Sequence, residues 1–364
     1  MPAELQNVVA PTVRSDLRRA VVPWAVGRAV VLVALGAVHQ VRDHAAVAGV
    51  RLVTVGLSSW DASFYAAIAR HGYGAVEARD GLRFFPLYPL VGRLTGGSDL
   101  AMVLLANAAM LLALGLLAQL AREWCDDRTA ERVVWLAALG PGALASVMGY
   151  AEPFFLVLSI GCVLAARRGS VGLAAVCGVG AALTRPVGIL LALYLVVDGW
   201  ERRSPRTAVA AVGPVVGLGA FLVWAHDRTG DWLRPLRLQS KANLRGETVD
   251  PFRAVWSALH DGFHDHRSGP LLHVAWVGVA VVLLVVAVRR LPRAASALAV
   301  VSVVVALTSR NLDSVERYLF ATFPLVIAAA SVRVHRDVER AVLVALGAML
   351  TVYAVLAFTT AYIP

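Results

Sequence analysis

Seven ionisable residues of this sequence are candidates for chemistry at the level of the membrane, where an ionisable side chain is costly and therefore points to a function. They are Asp61, Arg83, Glu152, Arg185, Arg310, Glu316 and Arg317. A carboxylate can take a proton from a hydroxyl group during a reaction, and an arginine can bind phosphate oxygens through its planar fork. Such residues could also be anchors whose charged ends reach the water interface. The elements that hold them decide between these interpretations.

The composition of the 364-residue chain indicates an integral membrane protein. Hydrophobic residues make up 59% of it and charged residues 16%, and the mean hydropathy is +0.69. A soluble domain has about 25% charged residues, so an ordinary soluble enzyme, a disordered chain and a collagen-like fibre are excluded. The net charge of +10 would favour nucleic acid in a soluble protein. Here the arginines lie mostly in short gaps between apolar runs, which predicts membrane topology and no nucleic-acid partner.

The apolar runs predict an all-α polytopic membrane protein with about eleven transmembrane helices. A bilayer core of about 30 Å needs about 20 apolar residues per helix, and fewer where a cavity shortens the span. The runs cover about 21–41, 98–120, 133–148, 153–166, 171–184, 187–199, 207–226, 271–288, 294–308, 319–332 and 341–361. We assign residues 1–364 to one domain with two long outer loops, at about 42–83 and 227–270.

The basic residues predict the orientation. If the N-terminus is cytoplasmic and the spans alternate, every short inner connection is basic, as the positive-inside rule requires. These connections hold Arg122, Arg128 and Arg132; Arg167 and Arg168; Arg202, Arg203 and Arg206; Arg289, Arg290 and Arg293; and Arg333, Arg336 and Arg340. The seven ionisable residues named above then all lie on the outer side, which favours one shared site over separate anchors.

Two apolar stretches must fold back on themselves. Residues 133–166 carry a single charge, Glu152, which stands next to Pro153 near the middle. One helix of this length would span about 51 Å at 1.5 Å per residue, so two short helices are expected. Residues 171–199 repeat the pattern with Arg185 before Pro186. Spans this short predict a cavity that dips into the membrane from the outer side.

The first outer loop is dense in aromatic and charged residues. Residues 60–73 have the spacing of an amphipathic helix on the outer membrane surface, ended by Gly72. Asp61 in its first turn could be the ordinary N-terminal carboxylate that helices favour. Residues 83–90 contain Pro86 and Pro89, which predict a short interfacial or re-entrant element or an aromatic belt.

These segments carry a family resemblance. The pattern Trp-Asp-x-x-x-Tyr-x-x-Ile-Ala-x-x-Gly-Tyr at 60–73, followed by Phe-Phe-Pro-Leu-Tyr-Pro at 84–89, resembles the signature of the PIG-V-type mannosyltransferases. That family includes the enzyme that adds the second mannose of glycosylphosphatidylinositol anchors, and many bacterial relatives. Residues 150–155, 183–188 and 314–324 are similar to further family segments in the same order.

The resemblance implies a GT-C fold, a polyprenyl-phosphate-mannose donor and inversion at the sugar carbon. It also implies an acidic base in the first outer loop, which falls on Asp61. The candidates for binding the donor phosphate are Arg185 and Arg317, followed by Arg83 and Arg310. Glu152 could orient the acceptor or pair with one of these arginines. The candidates for substrate contacts are Trp60, Tyr65, Phe85, Tyr88 and Tyr318, and simple packing is an equal alternative for each.

A histidine cluster in the second outer loop is weighed as a metal site. His260 and His264 would share one face of a helix, and His266 follows. Gly262 weakens that helix and no other segment offers an obvious further ligand, so a solvated loop is favoured and metal dependence stays open. No Asp-x-Asp motif and no P-loop occur, which disfavours a nucleotide donor. We expect no cofactor.

Three other functions remain open. A transporter or lipid flippase would share the polytopic architecture and the buried charges, but its polar residues would reach the membrane midplane. A non-catalytic scaffold would have no use for Asp61, Glu152 and Arg185. A GT-C enzyme could transfer glucose or arabinose instead of mannose. The favoured prediction is a mannosyltransferase on the outer face of a bacterial plasma membrane, among membrane lipids, with a glycolipid, lipoglycan or protein acceptor.

The predicted topology can be tested by thiol labelling. Cysteines are introduced singly at Ser63, in the first outer loop, and at Ser204, in a basic inner loop. In intact cells a membrane-impermeant thiol reagent should label the first and not the second, with the unaltered protein as background. The reverse pattern would place the proposed site on the cytoplasmic face.

Overall fold

The computed structural model describes residues 13–49, 52–77, 80–140, 142–241, 244–264 and 268–360. In these ranges the chain is helical apart from 3₁₀ turns, loops and one isolated bridge between Thr248 and Ser309. The α-helices are α1 (Val13–Val47), α2 (Asp61–His71), α3 (Leu87–Leu94), α4 (Asp99–Trp124), α5 (Asp127–Leu139), α6 (Ala143–Val147), α7 (Glu152–Arg167), α8 (Val171–Thr184), α9 (Leu190–Glu201), α10 (Pro205–Val209), α11 (Val212–Thr229), α12 (Arg234–Arg237), α13 (Pro251–His264), α14 (Ser268–Arg290), α15 (Arg293–Ala306), α16 (Val315–Ala321), α17 (Phe323–Ser331) and α18 (Arg336–Phe358).

The helices confirm an all-α, multi-pass membrane protein. Within the described ranges, five segments are long and apolar enough to cross a membrane: Ser15–Val47, Asp99–Trp124, Pro205–Thr229, Gly269–Arg290 and Arg336–Phe358. Val171–Thr184 and Arg293–Ala306 are shorter apolar helices. The expected number of about eleven crossings stays a prediction, because many of the apolar runs form helices too short to span a bilayer alone.

The helices are interrupted at both positions where a proline predicts a fold-back, next to Glu152 and Arg185. Residues 133–166 divide at Glu152, and residues 171–199 divide at Arg185, which is followed by a 3₁₀ turn at Pro186–Ile189. Two other runs, each predicted as one span, are also divided. Residues 133–148 form α5 and α6 on either side of Gly140 and Gly142, and residues 319–332 are interrupted before α17, which has a proline in its first turn. Proline lacks the amide needed to continue a helix, and glycine lowers its stability.

The first long loop contains the expected helix. It runs over Asp61–His71 and ends at Gly72, whose φ of 76° lies in the left-handed region that glycine adopts easily. The segment 83–90 forms the end of a 3₁₀ turn, Gly81–Arg83, and the start of α3. These elements pack together through Tyr65, Phe84 and Tyr88.

A buried arginine joins three helices behind the first fold-back point. Arg28 of α1 donates from Nε to Asn107 Oδ1 of α4 at 2.9 Å, and from Nη2 to the carbonyl of Ser146 in α6 at 3.0 Å. Asn107 in turn donates to the carbonyl of Val147 at 2.9 Å. The short helix α6 is thereby fixed, and so is the chain that leads from it to Glu152.

Helix α8, which is capped at its C-terminus by Arg185, is positioned by close backbone contact with α11. A Cβ atom added at Gly213 would lie 2.2 Å from the carbonyl oxygen of Ala175, and one at Gly217 would lie 2.4 Å from that of Val179. The two glycines are four residues apart, which is the small-residue spacing that lets membrane helices approach closely.

This contact predicts opposite effects for two glycines of α11. Gly217→Ala should lower the thermal unfolding midpoint and the activity, because the added methyl group must push α8 away. Gly219→Ala is the matched control, since its Cβ would meet no atom within 4 Å. It should be neutral or gain up to about 1 kcal/mol from helix propensity. Equal midpoints in the same detergent would contradict the proposed contact.

Candidate functional site

Five of the seven ionisable residues meet in one cavity, which we call the charged cleft. It holds about 570 Å³ of free space. Its walls are formed by Asp61, Tyr65, Arg83, Phe84, Phe85, Glu152, Thr184, Arg185, Pro186, Val187, Gln239, Arg245, Arg317 and Tyr318. These residues come from segments that are far apart in the chain, so the cleft exists only in the folded protein.

Asp61 is the first residue of α2 and the more accessible of the two carboxylates. Its side chain is 21% exposed, and its Oδ2 accepts a hydrogen bond from Arg317 Nη1 at 2.8 Å. Arg83 Nη2 lies 3.9 Å from Oδ1. Trp60, directly before it, has φ 56° and ψ −131°, a strained conformation for a bulky residue. The surrounding fold must therefore hold Trp60 in this conformation, and the backbone of Trp60 in turn sets how Asp61 is presented to the cleft.

Glu152 is the first residue of α7 and is buried. Its Oε1 accepts a hydrogen bond from Arg185 Nη1 and lies 3.1 Å from Arg317 Nε. The partial positive charge of the helix N-terminus also favours a carboxylate here. One buried carboxylate thus pairs with two guanidinium groups, and Arg317 links it to Asp61.

Arg185 owes its position to the residue that follows it. It caps the C-terminus of α8 with an extended backbone, φ −152° and ψ 143°. A residue before proline is disfavoured in the helical region, so Pro186 ends α8 at this point. A cation is stabilised at a helix C-terminus, which complements the carboxylate at the start of α7.

Tyr318 lies among three guanidinium groups. The Cζ atoms of Arg185, Arg245 and Arg317 are 5.4, 4.9 and 5.4 Å from the centre of its ring. These distances are in the range of cation–π contacts, which offset part of the repulsion between the arginines.

Arg245 belongs to the site although the sequence did not single it out. It donates to the carbonyl of Ala306 at 3.0 Å, and in the described parts of the chain it has no carboxylate within ion-pair distance. It lies in a polar loop, where an arginine is unremarkable, so no pattern of hydropathy could mark it. With Arg245, four guanidinium groups face two carboxylates and the cleft has an excess of positive charge.

Only three of the five aromatic residues predicted to contact the substrate line the cleft. Tyr65, Phe85 and Tyr318 line it, although Phe85 is buried against Phe221 with ring centres 4.5 Å apart. Burial and the negative charges of Glu152 and Asp61 raise the pKa of Tyr65, so its phenol stays protonated.

Two predicted substrate contacts, Tyr88 and Trp60, are not among the residues that line the cleft. Tyr88 is fully buried, and its hydroxyl donates to the carbonyl of Met102 at 2.8 Å, so we assign it to packing. Trp60 packs beside the core cluster around Tyr353.

Two of the seven ionisable residues lie outside the cleft. Arg310 is exposed and its Nη1 is 3.6 Å from Glu247 Oε1, so it is not carried forward as a phosphate ligand. Glu316 is buried between other helices.

The two described histidines of the second loop lie on α13. The rings of His260 and His264 stack with their centres 5.1 Å apart. Asp265 and His266 lie outside the described residues. Among the residues that the structure does describe, no group of three or more His, Cys, Asp or Glu side chains could hold a metal ion.

An apolar groove continues the charged cleft. It holds about 950 Å³ of free space and is lined by Pro186, Val187, Ile189, Leu190, Leu218, Leu236, Gln239, Ser240, Arg245, Gly246, Thr248, Val305, Thr308 and Ser309. Pro186, Val187, Gln239 and Arg245 also line the cleft. The site therefore joins a strongly charged compartment to a mostly apolar one, and Arg245 is the charged residue that lines both.

Comparison with known proteins identifies the family. The model of glycosyltransferase family 87 matches residues 84–314, which is more than half of the chain. The chain belongs to glycosyltransferase family 87. It is thus a membrane glycosyltransferase, and the prediction of this enzyme class is confirmed at that level. No curated protein matches the sequence.

Solved structures place the family 87 chain in the GT-C fold class. It is similar to ArnT from Cupriavidus metallidurans bound to undecaprenyl phosphate, with a TM-score of 0.51, 16% identity, and coverage of 93% of this chain and 76% of that one. The apo state of the same ArnT gives a TM-score of 0.50 and 18% identity, with coverage of 85% and 72%. The predicted GT-C fold is confirmed.

The different burial of the two carboxylates predicts different effects on stability. Glu152→Gln removes the buried negative charge that Arg185 and Arg317 share. It should lower the free energy of unfolding by about 3 kcal/mol or more. Asp61→Asn keeps the shape of the side chain, and Asp61 is the more exposed of the two carboxylates that pair with Arg317. Its loss of unfolding free energy should therefore be clearly smaller. Thermal unfolding of the two variants in one detergent measures the difference. An equal loss for both would show that Glu152 is not the main counter-ion.

Proposed function

We propose that this family 87 enzyme transfers mannose from polyprenyl-phosphate-mannose, with inversion, to a glycolipid, lipoglycan or protein acceptor. The observation that carries the proposal is the charged cleft, where an accessible carboxylate lies beside four guanidinium groups at the mouth of an apolar groove. We further propose that the cleft faces outward from a bacterial plasma membrane, which the basic connections on the opposite side support.

The donor fits the two joined compartments. Its phosphate needs cations, and its polyprenyl chain needs an apolar path away from them. Arg245 lies at the point where the cleft meets the groove and has no carboxylate partner among the described residues. It is therefore the arginine most available to the phosphate, with Arg83, Arg185 and Arg317 around it. The undecaprenyl phosphate bound to the similar ArnT fold supports a donor of this class.

Arginine is suited to the departing group as well as to the bound donor. When the bond between the anomeric carbon and the phosphate oxygen breaks, the electron pair stays on the polyprenyl phosphate. Preorganised guanidinium groups stabilise this charge because they already face the position where it develops. Arg185 and Arg317 are held by Glu152, so they are in position before the donor arrives.

Asp61 is the proposed general base. The acceptor hydroxyl oxygen attacks the anomeric carbon on the face opposite the phosphate, and its proton passes to the Asp61 carboxylate. Asp61 is more accessible than Glu152, which is buried and shared by two arginines. We therefore propose Asp61 as the base and Glu152 as the counter-ion that orients Arg185 and Arg317.

Mannose is proposed from the PIG-V-like segments at 60–73 and 84–89. Tyr65 and Tyr318 line the cleft and are the aromatic rings placed to contact a sugar.

The function is tested with purified protein in lipid nanodiscs. Polyprenyl-phosphate donors carrying radiolabelled mannose, glucose or arabinose are offered with membrane glycolipid and lipoglycan extracts and with acceptor proteins. We expect a labelled mannosylated product and free polyprenyl phosphate. If only another lipid-linked sugar gives product, that sugar replaces mannose in the proposed function. Transfer from a nucleotide sugar alone would overturn the lipid-phosphate donor.

The role of Asp61 makes a sharp kinetic prediction. Asp61→Asn keeps the shape of the side chain but cannot take the proton, so turnover should fall at least about a hundredfold with donor binding little changed. A purely structural role as the acidic residue in the first turn of α2 predicts only a small effect, because one charge–dipole interaction at a helix N-terminus contributes about 0.3–1 kcal/mol. Product formation and thermal stability are measured side by side. Near-normal turnover in a well-folded variant would remove Asp61 as the base and leave Glu152 as the next candidate.

A further inference from the structure

A second buried carboxylate lies on a different side of the helix that holds Arg317. Glu316 is 1% exposed. Its Oε1 accepts a hydrogen bond from the hydroxyl of Tyr353 at 2.9 Å and lies 2.9 Å from Nδ1 of His273. His273 belongs to α14 and Tyr353 to α18. One carboxylate of α16 therefore contacts donors on two long membrane helices.

Both partners of Glu316 are themselves oriented. Trp276 of α14 donates from Nε1 to the hydroxyl oxygen of Tyr353 at 2.9 Å. Nε2 of His273 lies 3.7 Å from Oδ1 of Asp313, an exposed carboxylate just before α16. Networks of this kind hold a buried polar group in one geometry, because each partner restricts the next.

Helix α16 needs such an anchor. It has seven residues and begins after Ser314, which has φ 60° and makes no capping hydrogen bond with its side chain. So short a helix has little stability of its own. Glu316 and Arg317 are neighbours, so their side chains leave the helix about 100° apart. One contacts α14 and α18, and the other contacts Asp61 and Glu152.

We propose that Glu316, held by His273 and Tyr353, is a positioning residue that fixes α16 and thereby places Arg317 and Tyr318 in the cleft. The inference rests on the proposed transfer from a lipid-phosphate sugar. A donor phosphate competes with Asp61 and Glu152 for Arg317, so this guanidinium changes partners during turnover. The contacts of Glu316 lie on another side of α16 and keep the helix in place while Arg317 changes partners.

The anchor is tested first without any activity assay, by hydrogen–deuterium exchange of the α16 amides. Tyr353→Phe removes one hydrogen bond to Glu316 and should fold normally, and Glu316→Gln removes the charge. Both should speed exchange over residues 315–321 by about tenfold. Tyr194→Phe is the matched control, since Tyr194 is equally buried and its hydroxyl lies 3.5 Å from the carboxylate of Asp198 on α9. Unchanged α16 exchange in both test variants would overturn the anchor.

The positioning role is tested by kinetics. Glu316→Gln should lower kcat per folded molecule at least about tenfold, because a displacement of about 1 Å at a reacting group can cost a hundredfold. In an Arg317→Lys background the same substitution should cost much less, since it acts through Arg317. Additive losses, or faster exchange with unchanged kcat, would reduce Glu316 to a structural role. Absence of product from the wild type with every donor would refute the proposed function and leave the exchange result standing.

Discussion

The ion pairs of Arg317 with Asp61 and Glu152 are the interaction on which the rest of the structure depends. They join α16 to the N-terminal ends of α2 and α7, which are far apart in the chain. A charge buried in a membrane protein is costly unless it is paired, so each of the three residues compensates the charge of another. The guanidinium group of Arg317 therefore stabilises the fold around the cleft and also lines the cavity proposed to bind an anionic group of the substrate.

The charged residues of the cleft share a simple local arrangement. Asp61 and Glu152 stand at helix N-termini, and Arg185 stands at a helix C-terminus. Each position matches the sign of the helix dipole. Proline follows Glu152 and Arg185 and keeps the helix ends at these residues. The short helices thus bring charged ends together within the bundle.

Different parts of the cleft and its surroundings suit different requirements of a membrane glycosyltransferase. Positive charge in excess of the two carboxylates suits a phosphate, the adjoining groove suits an apolar chain, and the accessible Asp61 suits proton transfer. Behind this surface, Arg28 fixes α6 and Glu316 fixes α16. Buried polar groups on membrane helices are thus used mainly to hold the elements that carry the site.

Sequence alone determined the membrane class, the helix breaks at Glu152 and Arg185, and the helix after Trp60, because hydropathy, proline and charge at helix ends act locally. It also singled out five ionisable residues that meet in the cleft. Tertiary structure alone decided that Arg245 joins the site, that Tyr88 is packed away and that Arg310 lies outside it. The physical reason is that residues distant in the chain share a cavity only through packing, which no local pattern encodes.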